Sequence, residues 1–152
     1  MKTINELNEL CNIVRETSYA IHVYHGHGHL EKVYENALVN RLRKQGLDVK
    51  QQHPIQVLDE DGTVIGEYFA DLVVDGRLIV ELKAVKTLVG EHTAQVLGYL
   101  KSTRTEHGLL VNFGSYKFEI KKYALSLDHR RSAQASGVLK SLFFAFSAFF
   151  CG

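Results

Sequence analysis

A chain of 152 residues, 45% of them hydrophobic, has room for one domain with a buried core and is not compositionally disordered. Its formal charge of +1 excludes the broad basic surface of a strongly basic DNA-binding domain. Any hold on a nucleic acid must then come from local cations or from a bound metal.

From the N-terminus, MKTINELNEL is polar and helix-like, unlike a secretory leader. Residues 4 to 23 read as a helix, with Leu7, Leu10, Cys11, Val14 and Ile21 at helical spacing. The segment from Tyr24 to His29 breaks it, and a second helix runs from about Leu30 to Gln45. Its apolar stripe is Leu30, Val33, Tyr34, Ala37, Leu38 and Leu42, with Gly46 as a stop. From Leu47 the period becomes alternating. Val49 to Leu58 reads as a strand that Pro54 marks as an edge or a bulge, Asp61-Gly62 as a turn, and Val64 to Val74 and Leu78 to Ala84 as two further strands. Gly90 to Thr103 reads as a helix, Gly108 to Phe113 as a buried strand, and Tyr116 to Tyr123 as a last strand. This order predicts an α/β fold, a mixed central sheet flanked by helices. The expected domain spans 1–125, and 126–152 is an apolar tail. No apolar run reaches the ~20 residues a bilayer span needs. Cys11 and Cys151 form neither a CxxC pair nor a zinc spacing, and read as reduced thiols of a cytoplasmic protein.

The chemistry concentrates between Phe69 and Lys83. Glu81 and Lys83 share one face of a strand, and Leu78, Val80 and Leu82 share the other. On the preceding strand Asp71 lies opposite the apolar set Ala70, Leu72 and Val74. A two-residue loop at Asp75-Gly76 would send Asp71 and Glu81 to opposite faces. A three-residue loop, Asp75-Gly76-Arg77, pairs them directly and keeps both apolar triplets together. The slipped register would bury carboxylates, so the three-residue loop is expected, with Gly76 supplying a positive φ. Asp71, Glu81 and Lys83 then converge. Two neighbouring carboxylates repel unless a cation lies between them, and oxygen donors suit Mg²⁺ or Mn²⁺. Such a set is sufficient for metal-assisted phosphodiester hydrolysis.

Gly28-His29-Leu30-Glu31-Lys32-Val33-Tyr34 is a GxxExxY match. It is followed in order by Gly66-Glu67-Tyr68, Ala70-Asp71-Leu72, Val80-Glu81-Leu82-Lys83-Ala84, Gln95-Val96-Leu97-Gly98-Tyr99-Leu100 and Leu109 to Gly114. Over residues 4 to 125 the chain resembles the GxxExxY proteins, assigned to the PD-(D/E)xK nuclease superfamily. The resemblance implies a restriction-endonuclease-like core of a helix, three strands, a helix and a strand. It implies Asp71, Glu81, Lys83 and Gln95 as catalytic residues, and Asp71 and Glu81 as metal ligands helped by the Leu82 carbonyl. Glu31 resembles an accessory acidic residue that joins the metal. Gln95 and Tyr99 resemble a QxxxY element, in which the glutamine orients the metal-bound water and the tyrosine lies near substrate. Tyr34 is open to either core packing or a site role, and Gly28 with Gly26 to close approach of a phosphate at the second helix's N-terminus.

Mg²⁺ or Mn²⁺ is therefore the expected cofactor and DNA or RNA the expected partner, with a homodimer as one source of extra grip. The alternative is a non-catalytic nucleic-acid-binding or assembly module on a nuclease-like scaffold, and a third is a partner-dependent toxin or phage-defence component. His22, His25, His27 and His29 cluster in sequence without cysteine or carboxylate at ligand spacing. In the tail, Leu139, Leu142, Phe143, Phe146 and Phe149 share a helical face, which suits packing on the body, a dimer contact or a membrane surface.

Overall fold

A computed structural model describes residues 4–126 and 149–150. Helix α1 (Ile4–His25) buries Leu10, Cys11, Val14 and Ile21, the stripe its spacing marks. Helix α2 (Glu31–Lys44) buries Tyr34, Leu38, Val39 and Leu42. Two members of its expected stripe do not join the core. Leu30 precedes the helix in extended backbone and Val33 lies on its flank, so both are exposed.

Strands β1 (Val49–Leu58), β2 (Val64–Val74) and β3 (Leu78–Lys83) form an antiparallel meander. Helix α3 (Gly90–Thr103) carries the chain to β4 (His107–Asn112), which pairs with β3 in parallel. Strand β5 (Glu119–Ala124) then returns antiparallel to β4. The spatial order follows the chain order, and a two-residue strand β6 (Phe149–Phe150) adds to β5 at Lys121 and Lys122. The sheet is thus mixed and flanked by helices, as the pattern of elements predicts. Leu139, Leu142, Phe143 and Phe146 lie outside the described residues. Phe149, expected on a helical face, is in extended strand.

Each face of the sheet carries a core. Helices α1 and α2 cover Leu72, Val74, Leu78, Val80 and Leu82, together with Leu109 and Val111. On the other face, Val96, Tyr99 and Leu100 of α3 pack with Ile55, Ile79, Leu110 and Tyr123. Burial from both sides explains why β3 reads as a continuous apolar run broken only by its charged residues. The outer strand β1 accommodates Pro54, and Gln52 two residues earlier takes a left-handed φ of 48°.

The β2–β3 turn fixes the register. Val74 pairs with Leu78, Val73 with Ile79 and Leu72 with Val80, leaving the loop Asp75-Gly76-Arg77. Both Asp75 (φ 49°) and Gly76 (φ 64°) are left-handed, and the Arg77 amide closes the turn on the Val74 carbonyl at 3.1 Å. One step beyond Leu72 and Val80, Asp71 faces Glu81. The alternation expected along β2 changes phase there: Leu72 and Val74 pack toward α1 and α2, whereas Ala70 packs with Ile55 and Ile79 in the α3 core. Across from Asp71, left-handed Gln52 marks the same irregularity on β1.

Candidate active site

Asp71 and Glu81 are 8% and 2% exposed, one step past the last β2–β3 pair, where the two strands place them opposite each other. Asp71 Oδ2 accepts the Leu82 amide at 2.8 Å, and the Asp71 amide lies 3.5 Å from Glu81 Oε2. Lys83, two residues on and therefore on the same face as Glu81, donates from Nζ to Glu81 Oε1 at 3.3 Å. The three side chains thus meet where the three-residue loop requires.

Electrostatics shows what this costs. Burial, and then the charge of Asp71, pushes the Glu81 carboxyl up to about 8, against the opposing pull of Lys83. Burial also raises Asp71, offset by the Leu82 amide and Gln52. Glu31, on the first turn of α2, is raised by burial and by Asp71, with Lys83 and the Ala84 backbone acting against the shift. The Asp71 charge thus acts on both Glu81 and Glu31, and a cation bound at Asp71 would relieve that repulsion.

Two residues that the sequence did not single out complete this corner. Glu35 is 3% exposed, one helical turn after Glu31, and accepts Lys32 Nζ at 2.7 Å, Gln51 Nε2 at 2.9 Å and Gln52 Nε2 at 3.2 Å. Gln52 Nε2 also donates to Asp71 Oδ1 at 3.2 Å. An acid on α2 is thereby tied through β1 to the acid on β2. The one signal in the sequence was the helical offset of Glu35 from Glu31, and it does not by itself point to Gln52.

Beyond Lys83, the chain is held by β4. Phe113 donates its amide to the Lys83 carbonyl at 2.8 Å. Asn112, fully buried, accepts the Val85 amide at 3.1 Å and the Gly114 amide at 3.0 Å, and donates to the Val85 carbonyl at 2.9 Å. Gly114 passes so close to Ala84 and Val85 that any Cβ there would collide with their backbone.

On α3, Gln95 and Tyr99 do share a face: Gln95 Nε2 donates to the Tyr99 hydroxyl at 2.7 Å. Burial raises the Tyr99 phenol, and the charges of Glu81 and Asp71 add to that. Tyr34 is different. It is fully buried, stacks on Phe113 with ring centroids 4.7 Å apart, and hydrogen-bonds the Gly26 carbonyl at 2.7 Å. Of the two readings of Tyr34, a core ring or a substrate contact, its burial supports the core ring, which fastens the loop before α2. Gly28 (φ 113°) lies in that loop, whose Gly26 and His29 amides are already engaged by the His22 carbonyl and the Tyr34 hydroxyl. A phosphate cradle there would lack those two donors. His22 Nε2 sits 2.8 Å from the Ser115 carbonyl, and the rings of His25 and His29 meet edge to face.

Among the described residues, no three His, Cys, Asp or Glu groups are assembled as a ready-made metal site. The donor set still fits a small hard cation, because Mg²⁺ commonly takes one or two carboxylates and fills its other positions with water and substrate phosphate. Asp71 and Glu81 would hold it, with Glu31 near enough to feel the same charge. Such a cation polarises a phosphoryl oxygen and acidifies a bound water.

A core of this order, with an aspartate on one strand facing a Glu-x-Lys on the next, defines a nuclease-like α/β domain. The chain belongs to the PD-(D/E)XK nuclease superfamily, whose model matches residues 8–123. Members of this superfamily generally use divalent metals and act on nucleic acid. No curated protein and no solved structure matches the chain. No helix among the described residues is long and apolar enough to cross a membrane.

Proposed function

We propose that this protein is a Mg²⁺- or Mn²⁺-dependent nuclease of the GxxExxY group. The observation that carries the reading is the opposition of Asp71 and Glu81 on adjacent strands with the Lys83 ammonium 3.3 Å from Glu81. Asp71 and Glu81 bind the cation. Lys83 holds the attacking water or stabilises charge on the phosphate, and Gln95 orients that water. Glu31 supports the metal from α2. The near-neutral charge supplies little long-range attraction, so a second copy or a partner adds grip on the substrate.

The test is cleavage of single-stranded, duplex, flap and branched DNA and RNA in Mn²⁺. Wild type is expected to cut at least one, and Lys83→Ala to cut roughly 10²–10⁴-fold more slowly while still unfolding cooperatively from a folded state. Cutting that survives this substitution contradicts the assignment.

A second reading, a non-catalytic binding or assembly module, draws on one observation. Both Asp71 oxygens already accept hydrogen bonds, from Leu82 and Gln52. Mn²⁺ binding without cleavage of any of those substrates would favour it.

A further inference from the structure

Tyr68 lies on β2, three residues before Asp71, and is 54% exposed. Its ring centroid is 5.8 Å from that of Tyr99, at a tilt of 44°. The two rings, with Glu91, Ala94, Gln95 and Gly98 of α3, line a pocket of about 270 Å³. Ala94 and Gly98, one turn apart, are its small residues, and a Cβ built on Gly98 meets open space. Tyr68 shares β2 with Asp71, and the charges of Glu81 and Asp71 act on the Tyr99 hydroxyl.

We infer that this pocket is a subsite for one unpaired nucleobase, with Tyr68 as its stacking platform. A base offers a flat π face to Tyr68, and its edge donors and acceptors suit the Glu91 carboxylate and the Gln95 amide. Base–aromatic stacking tolerates any sequence, and a base in duplex has both faces already covered by its neighbours. The subsite therefore selects single strands or frayed ends over intact duplex. Tyr68 is a positioning residue: it fixes the nucleotide so that a neighbouring phosphodiester lies at Asp71 and Glu81. The inference rests on the nuclease reading for the identity of the ligand but not on turnover.

The experiment measures binding in EDTA, where no metal is available, using short DNA and RNA strands carrying one 2-aminopurine, and the same sequences as blunt duplexes. Wild type is expected to quench 2-aminopurine and to bind at least one type of single strand more tightly than its duplex. Tyr68→Ala is expected to weaken single-strand binding roughly tenfold and to abolish quenching, with duplex binding unchanged, while Tyr68→Phe retains both. A Cβ on Gly98 meets open space and leucine is the better helix former, so Gly98→Leu is expected to fill the pocket, with thermal unfolding checking that the variant is folded. Wild type with no preference for single strands, or single-strand binding untouched by Tyr68→Ala and Gly98→Leu, overturns the inference. Loss of single-strand and duplex binding in equal measure overturns it too. A wild type that shows Tyr68-dependent quenching yet cuts nothing in Mn²⁺ contradicts the nuclease reading and supports the subsite.

Discussion

Asp71 accepts the Leu82 amide on its own carboxylate, 2.8 Å away, at the point where the β2–β3 ladder stops. One side chain thus replaces a strand-to-strand contact and, in doing so, is pinned opposite Glu81. Asp71→Ala leaves a buried amide unpaired, which costs about 1–3 kcal/mol. Asp71→Asn keeps an oxygen for Leu82 and removes the charge that Glu81 resists, but turns an NH2 toward the Gln52 Nε2 donor. Its metal-free stability at neutral pH is expected to exceed that of Asp71→Ala, while both variants lose Mn²⁺ binding. Denaturant unfolding and titration calorimetry on the two proteins check this.

The raised Glu81 carboxyl makes metal-free stability fall as pH rises. The unfolded chain releases this proton near the ordinary value of 4.5, whereas the folded protein holds it until about 8. Between those limits the folded state binds more protons, so each pH unit favours unfolding by up to roughly tenfold in the equilibrium constant. Above about 8 the slope flattens. Excess Mn²⁺ keeps the acids ionised in the folded state and is expected to remove the trend. Midpoints of urea unfolding from pH 5 upward, with EDTA or Mn²⁺, give the comparison.

Glu35 is a strut on the same corner. Glu35→Ala leaves Gln51 only its Asn36 acceptor and releases Gln52, which holds Asp71 Oδ1. The expected result is a loss of about 1 kcal/mol in stability together with weaker Mn²⁺ binding, measured by unfolding and calorimetry. Glu35→Gln retains part of the network and is expected to fall between the two.

Asn112 and Gly114 hold the chain that leaves Lys83. Asn112→Ala removes four hydrogen bonds from a fully buried site and is expected to destabilise by about 2–4 kcal/mol. Gly114→Ala forces apart the backbone at Ala84 and Val85 and is expected to cost at least as much. Thermal unfolding reads both, and a neutral Gly114→Ala would contradict the close approach.

The hairpin register was legible because only one loop length keeps Leu72, Val74, Leu78, Val80 and Leu82 on one face. That single constraint also brought Asp71 to Glu81. Helix α3 was legible from its periodicity, and with it the Gln95–Tyr99 pair. What the sequence hid depends on departures from ideal geometry. Ala70 switches cores because β2 changes phase at Asp71. Leu30 stays outside because the helix starts one residue later. Glu35 and Gln52 act through a contact between α2 and β1 that no spacing rule encodes. Tyr34 sits on the apolar stripe beside a motif glycine, and only its full burial against Phe113 separates a core ring from a substrate ring.

The most direct test soaks crystals with Mn²⁺ and locates the ion by its anomalous signal. The account expects a peak between the Asp71 and Glu81 carboxylates, within reach of the Leu82 carbonyl, and its loss in Glu81→Gln crystals. A peak elsewhere, or none in crystals whose Asp71 and Glu81 face each other as described, would contradict it.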